Sequence, residues 1–587
     1  MGKVWSEATV SVNRRSIRKK VLMKRVFHYC LLVAVILLGA GLRFSHLELK
    51  AFWQDEIITA LFSLGRSYQE VPLEQVVPVS RLLEILTPKV GVSCPDIAQA
   101  LRQESTHPPL FFCLASQWLQ LPLWQDLSLV WALRGFAAIW GMAAIGAVYG
   151  LTRSVFSPGV GLLGAALMAV SPFAVYLSQE ARHYSLPLFL VCLALWALVE
   201  VFRDVEGGGS LRWSVLLGWM GANLAGFYTH YFFLLVFLAQ LFALITLGVW
   251  RCPWGRIWPL VGTILLTVGL GVPGLEIFLS YGSRPETDWL QLMSGWAPVY
   301  QVLLGWIIFV IALPVEKQPI LIKVISLTLT LGLVVFWVRL VLPGTQRLWR
   351  STQGKLHRHY AQRVTRLLVS FLGGIFLQFG GIIYILGKDL TLAPRYNYVY
   401  YPAVVVLLAG SVWMLKKYSK FLAILSLLVL GFTSAIFVNT DLTFKKPFHP
   451  QKIIGDILPQ DAAPLVVVVG YNDFQDIALG LSLVWELGNY SERISTSYLT
   501  FLQRDPQQQD NPILGYKPVW KAISELSEMP APPFHLWVVA PGLKAPEFPS
   551  QLQVSQGNSR TQCQLQTTPE QNVGVVYQHY PCLTIAR

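Results

Sequence analysis

The sequence predicts an α-helical polytopic membrane protein of eleven to thirteen transmembrane helices with a C-terminal external α/β domain. Three observations predict it. Of 587 residues, 54% are hydrophobic and only 13% charged, with a mean hydropathy of +0.50, too apolar for a soluble globule that hides its apolar groups in one core. Apolar runs long enough to cross about 30 Å of hydrocarbon recur as far as residue 438. Beyond that point, short β-branched stretches alternate with helical patterns.

In chain order the runs fall at 28–46, 128–151, 158–177, 184–203, 212–229, 231–250, 257–281, 320–342, 366–387, 396–415 and 419–438. Two weaker segments, 107–122 and 296–314, read as re-entrant or interfacial, and the total becomes thirteen only if both cross. Basic loops set the orientation, because short Lys/Arg-rich loops stay cytoplasmic. The tail 1–27 carries Arg14, Arg15, Lys19, Lys20, Lys24 and Arg25. Further basic loops hold Arg153, then Arg203 and Arg212, then Arg251 and Arg256, then Arg347 to Arg366 with Lys355 between them, then Lys416, Lys417 and Lys420. The N-terminus is therefore expected in the cytoplasm and the stretch 440–587 in the periplasm or outside the cell, with the body in the plasma membrane. The first run has no small-residue cleavage site and reads as a retained anchor. A net charge of +14 is accounted for by loops facing anionic lipid, with no base-stacking motif to suggest nucleic acid.

Three zones follow: the basic tail 1–27, a membrane body 28–438 that includes a large outer loop at 47–106, and the external domain 440–587. In the loop, 82–86 and 97–101 read as short amphipathic helices lying along the membrane surface. In the domain, 465–469, 536–539 and 573–577 read as strands and 477–487 and 519–529 as helices. Gly470 belongs to no nucleotide-binding fingerprint. The seven cysteines show no metal spacing. Cys30, Cys113 and Cys192 read as packing residues, and Cys563 and Cys582 are candidates for a disulfide.

Polar motifs gather at the predicted outer boundaries. Trp53-Gln54-Asp55-Glu56 follows the first run, His107-Pro108-Pro109-Leu110 comes after Glu104, and Gln179 to Ser185 contains Glu180, Arg182, His183 and Tyr184. Tyr228-Thr229-His230-Tyr231 and Ala393-Pro394-Arg395-Tyr396 complete the set. In that order the chain resembles the polyprenyl-phosphate-sugar-dependent membrane glycosyltransferases of family 39, the protein mannosyltransferase-like group, with the lipid A aminoarabinose transferase as a relative. The matching stretches are 42–67, 104–114, 180–195, 228–240 and 394–408, while the external domain lies outside the resemblance. It implies transfer of a sugar, with inversion, from a lipid-linked phosphate to a lipid, glycan or protein acceptor at the outer face, with an acidic residue of the first loop as base.

The residues fit that chemistry. Glycoside hydrolysis needs an acid to protonate a poor leaving group, whereas a lipid phosphate leaves readily, so one base suffices. Asp55 is the first choice, and Glu56 is the alternative because sequence does not fix which side chain faces the site. Arg182 and Arg395, with Tyr184 and Tyr396 beside them, are candidates to hold the donor phosphate, since guanidinium forks match phosphate oxygens. Glu104, His107 and His230 are the residues that would hold a divalent metal ion. The competing class, a transporter or flippase, calls for mid-span charges and an internal repeat, whereas mid-span charges are few, no clear repeat is present and the polar motifs gather at one face. The topology predicts that a cysteine placed at position 550 is labelled from intact cells and one at position 355 is not. The opposite pattern overturns the orientation.

Overall fold

The computed structural model describes residues 2–124, 126–281, 290–291, 295–350, 356–458, 461–490, 494–508, 511–526, 528–556, 559–566 and 574–584. Lys355 and Val573 lie outside them.

All eleven apolar runs are helical. Among the described residues seven helices are long and apolar enough to span a membrane: Leu22–Phe44, Leu129–Val155, Ser185–Glu206, Trp254–Pro273, Ile320–Arg350, Tyr360–Leu386 and Lys417–Asn439. An eighth is a pair, Pro158–Val170 and Pro172–Ser178, bent by 59°. The bend has a local cause. Pro172 has no N–H to donate into the preceding turn, and Ser171 starts a new helix by accepting from Ala174 N at 3.4 Å. The carbonyls stranded by the break go to a side chain of another helix, buried Arg43, which donates to Ala169 O and Met168 O at 3.0 Å each.

Trp213–Phe227, Phe233–Thr246 and Tyr401–Trp413 hold only 15, 14 and 13 residues. The backbone leaves the α-helix at 228–232 between the first two and runs as a 3-10 turn, Pro394–Val399, ahead of the third. Non-helical backbone within a membrane body is tolerated where it is buried in protein or lines a cavity, and Tyr231 and Pro394 to Tyr396 line one. The weak segments form Leu110–Leu119 and Ala297–Ile308, of 10 and 12 residues. At 1.5 Å per residue these reach only about 15–18 Å, well short of a crossing.

The C-terminal region folds on a seven-stranded mixed sheet in the order β1-β3-β2-β4-β7-β6-β5. Its strands are β1 (Val77–Pro78), β2 (Leu465–Tyr471), β3 (Ser497–Gln503), β4 (Phe534–Ala540), β5 (Gln551–Gln556), β6 (Ser559–Gln564) and β7 (Val576–Thr584). β2 is parallel to β3 and β4 and buried along its whole length, as a strand with four consecutive valines requires. The other pairings are antiparallel. β1 belongs to the first outer loop, Val77 lying opposite Leu499 and Pro78 opposite Tyr498; a proline is tolerated there because the strand is an edge. Glu74 N donates to Phe501 O at 2.9 Å and Glu74 Oε1 accepts from Gln503 N at 2.7 Å. Loop and domain therefore share one sheet.

Three expectations are corrected. The loop helices are Val79–Glu84 and Cys94–Glu104, and their apolar residues Leu82, Ile97 and Leu101 are buried in the protein core rather than spread on a membrane surface. Cys113 is not a packing thiol but is disulfide-bonded to Cys94, tying that helix to Leu110–Leu119. The strand expected to begin at 573 begins at Val576. Cys563–Cys582 is the second disulfide. Alkylation of the denatured, unreduced protein should modify three cysteines, Cys30, Cys192 and Cys252, and seven after reduction. Modification of five before reduction removes one of the two bridges.

Candidate active site

Asp55 and Glu56 open the helix Gln54–Ser63, which starts where Trp53 is extended (φ −101°, ψ 173°). Carboxylates in a first helical turn meet the positive end of the helix dipole. Consecutive residues on a helix point about 100° apart, so the two cannot share a destination. Glu56 turns into the protein. Its carboxylate accepts from Arg134 Nε at 2.8 Å and Nη2 at 2.6 Å, and from Ala181 N at 2.7 Å. Both side chains of the pair are 0% exposed. Arg134 spends its remaining donors on the carbonyls of Leu47, Lys50 and Ala51.

Asp55 turns into a cavity of about 540 Å³. Its Oδ2 lies 3.2 Å from Arg395 Nη1 and 3.8 Å from Arg182 Nη2, while Arg182 Nη1 donates to the Asp55 carbonyl at 2.6 Å and to Thr59 Oγ1 at 3.3 Å. Both guanidinium carbons stand over the Tyr184 ring, at 5.9 and 5.6 Å from its centre, and Arg395 also lies 5.9 Å from that of Tyr396. Burial alone would raise the Asp55 carboxyl, but the charges of Arg182 and then Arg395 outweigh it, and the group sits below the usual carboxylate range. It is ionised at neutral pH.

Of the sequence candidates, Asp55, Arg182, Arg395, Tyr184, Tyr396, Glu104 and His107 line this one cavity. Glu56 and His230 do not. The triad suggested for a metal does not assemble. Glu104 Oε2 accepts from Tyr68 N at 2.7 Å. His183 stands between the other two, its ring centre 4.9 Å from that of His107 and 4.7 Å from that of His230, and His230 Nδ1 accepts from Phe232 N at 3.0 Å. Among the described residues no group of three or more His, Cys, Asp or Glu is placed to hold a metal ion. His107 is held down to about 3, by burial and then by Arg182, so it is neutral. Arg182 can only donate, and its Nη2 lies 3.5 Å from His107 Nε2, which assigns the His107 proton to Nδ1, directed at Ser105 Oγ at 2.8 Å.

Residues not singled out from sequence complete the walls. Phe474 and Gln475 arrive from the domain, at the start of helix Phe474–Leu487, where Asp473 accepts from Gln475 N at 2.8 Å and Asp476 N at 3.2 Å. Tyr68 stacks on Phe474 at 4.6 Å. The segment after the last membrane helix supplies Phe444 to Pro447. It passes through two left-handed residues, Asp441 (φ 55°) and Phe444 (φ 54°), costly for side chains with a Cβ; Phe444 is held there by stacking on Tyr176 at 4.4 Å. Arg134 did leave a signal, as the lone charge within 128–151; Phe474 and Lys446 left none, because their placement depends on the domain fold.

These features define a multi-span membrane protein with a polar cavity at the end of its helices, roofed by a mixed α/β domain. Residues 106–275 match the family described as dolichyl-phosphate-mannose-protein mannosyltransferase. No curated relative matches the chain. Its fold is similar to that of ArnT from Cupriavidus metallidurans in the apo state, with 12% identity and a TM-score of 0.50 over 95% of this chain and 98% of that one. ArnT from the same organism bound to undecaprenyl phosphate aligns at 12% identity and a TM-score of 0.45 over 94% and 97% of the two chains. The Archaeoglobus fulgidus oligosaccharyltransferase in its apo form aligns at 11% and 0.42 over 79% and 64%. Part of the membrane body thus carries a mannosyltransferase family pattern, and the chain as a whole shares the fold of ArnT.

Removing one partner of a buried ion pair typically costs about 3–5 kcal/mol. Glu56→Gln should therefore lower the unfolding temperature more than Asp55→Asn, because the Glu56 pair is fully buried and short at 2.6 Å while the Asp55 contacts, at 3.2 and 3.8 Å, open onto the cavity. Equal unfolding temperatures for the two variants would contradict the division of roles.

Proposed function

We propose that this protein transfers a sugar from a polyprenyl-phosphate donor to a hydroxyl or amine of an acceptor, with inversion and with Asp55 as the general base. The observation that carries the reading is the ionised Asp55 carboxylate held between Arg182 and Arg395 in the wall of the cavity. The acceptor oxygen or nitrogen attacks the anomeric carbon as its proton passes to Asp55, and the bond from that carbon to the phosphate oxygen breaks with its electron pair going to the phosphate.

Charge follows the same path. Two guanidiniums and one carboxylate leave one positive unit, the complement of a phosphodiester monoanion. After transfer Asp55 is neutral, and the two guanidiniums face a phosphate monoester that carries up to two negative charges. Fixed cations beside developing charge in a site of low dielectric are the main electrostatic means of lowering such a barrier. An arriving phosphate also competes with Asp55 for Arg182 and Arg395, which loosens their hold and makes the carboxylate a stronger base when substrate is present.

We place the cavity on the periplasmic or extracellular side. Helix Ser185–Glu206 has the cavity residue Tyr184 at its start and, about 33 Å away, a cluster in which Arg212 pairs with Glu200 and Asp204 and Arg363 with Glu206. Basic loops therefore sit at the end opposite the cavity, as a cytoplasmic end should. The disulfide that ties the first loop to helix Leu110–Leu119 and the one in the domain suit an oxidising compartment at the cavity end. Phe474 and Gln475 make the domain a wall of the site, where it would position the acceptor.

In a purified, lipid-reconstituted transfer assay, Asp55→Asn should reduce turnover by about 10²–10⁴ while donor binding survives. Near-normal turnover removes Asp55 from the chemistry. Because the Asp55 carboxyl is lowered in the free protein, its contribution to activity is present above the ordinary carboxylate range and fails only as pH drops below it. The acid limb of kcat/KM should therefore lie below about pH 4, and the acid limb of kcat, measured with the guanidiniums engaged by phosphate, at higher pH. An acid limb of kcat at or below that of kcat/KM would contradict the competition.

A further inference from the structure

Beside the base and the arginines, the cavity wall holds a second buried ion pair that the transfer step leaves unused. Lys446, from the segment after the last membrane helix, pairs through Nζ with Glu180 Oε1, and the two side chains are only 4% and 2% exposed. The Lys446 ammonium also lies 5.1 Å from the centre of the Trp53 ring. All three residues line the cavity.

Each keeps hydrogen-bonding capacity in reserve. Glu180 Oε2 and Trp53 Nε1 are buried with no hydrogen-bond partner, although buried polar groups are ordinarily satisfied. Lys446 has three N–H groups, and the pair with Glu180 takes one. An acceptor and two donor groups thus stand in the wall of the cavity that also holds Asp55, Trp53 lying two residues before it in the chain. Lys446 is also near enough to Asp55 for its charge to lower that carboxyl.

We infer that Glu180, Lys446 and Trp53 form the subsite for the transferred sugar ring, binding two neighbouring hydroxyls of the donor. One hydroxyl donates to Glu180 Oε2, its neighbour accepts from Lys446 Nζ, and the Trp53 indole supplies an apolar wall with a further N–H. This rests on the donor reading above and extends it. Because Lys446 arrives on the segment Phe444 to Pro447, ring binding is coupled to the strap that joins the membrane body to the domain.

The test uses the full-length protein in lipid nanodiscs and two kinds of probe: undecaprenyl phosphate alone, and a panel of undecaprenyl phosphates bearing single hexoses or pentoses. The wild type should bind at least one sugar-bearing lipid about tenfold or more tighter than the bare lipid, roughly the worth of a pair of hydrogen bonds. Glu180→Gln and Lys446→Gln should erase that preference and leave affinity for the bare lipid unchanged, and Lys446→Arg should keep part of it. Removing one of the two neighbouring hydroxyls from the preferred sugar should abolish the difference between wild type and variants. Variants that keep the full preference overturn the subsite. So does an equal loss for bare and sugar-bearing lipid, which assigns the pair to phosphate binding or to folding. Failure of the wild type to bind any of these lipids overturns the donor reading itself.

Discussion

Arg134 and Glu56 share one hydrogen-bonded ion pair with no exposure to solvent, and the architecture of the cavity depends on it. From helix Leu129–Val155, Arg134 ties down three carbonyls of the chain entering the first loop, at 47, 50 and 51. Through Glu56 and its bond from Ala181 N, it also fixes the turn that carries Arg182. Asp55 and Arg182 are thereby held by one network, yet neither is part of it. A buried pair of this kind is weak evidence for net stability, because desolvation consumes much of the attraction. Its consequence here is positional: with Glu56 committed inward, helical geometry leaves Asp55 facing the cavity.

The electrostatics of the cavity turn on keeping one carboxylate charged and the nearby imidazole uncharged. Asp55 ionises because two guanidiniums outweigh its burial. His107, close to the same guanidiniums, is kept neutral by its own burial and by Arg182. The positive charge beside Asp55 is thus carried by guanidiniums, which do not titrate near neutrality, and this suits the proposed transfer, whose product phosphate is more anionic than its substrate. The roof adds a mechanical element. Because β1 of the first loop pairs with β3 of the domain and Phe474 packs on Tyr68, movement of the domain cannot be separated from movement of the loop that carries Asp55.

Much of this was legible in the sequence, for identifiable reasons. Membrane runs announce themselves by length and apolarity, and the boundary motifs around Asp55, Glu104, Arg182 and Arg395 stood out because polar residues at such boundaries are conspicuous against 54% hydrophobic composition. The choice between Asp55 and Glu56 stayed open because it depends on Arg134, a contact 78 residues distant. The expected metal ligands failed because nearness of motifs along one face does not fix side-chain direction, and His183 occupies the space between His107 and His230. Cys113 was misread since its partner Cys94 lies in a helix whose docking the local pattern does not encode. Likewise β1 is two residues long and carries no periodicity from which to be found.

A single base across from a departing phosphate, as proposed for Asp55, calls for one in-line displacement at the anomeric carbon. The most direct test is the anomeric configuration of the sugar in the product, determined by nuclear magnetic resonance after transfer from a donor of known configuration. One base and one displacement predict inversion. Retention of configuration would require either a second displacement or attack from the face of the leaving phosphate, and would contradict the assignment of Asp55 as the base of a single in-line displacement.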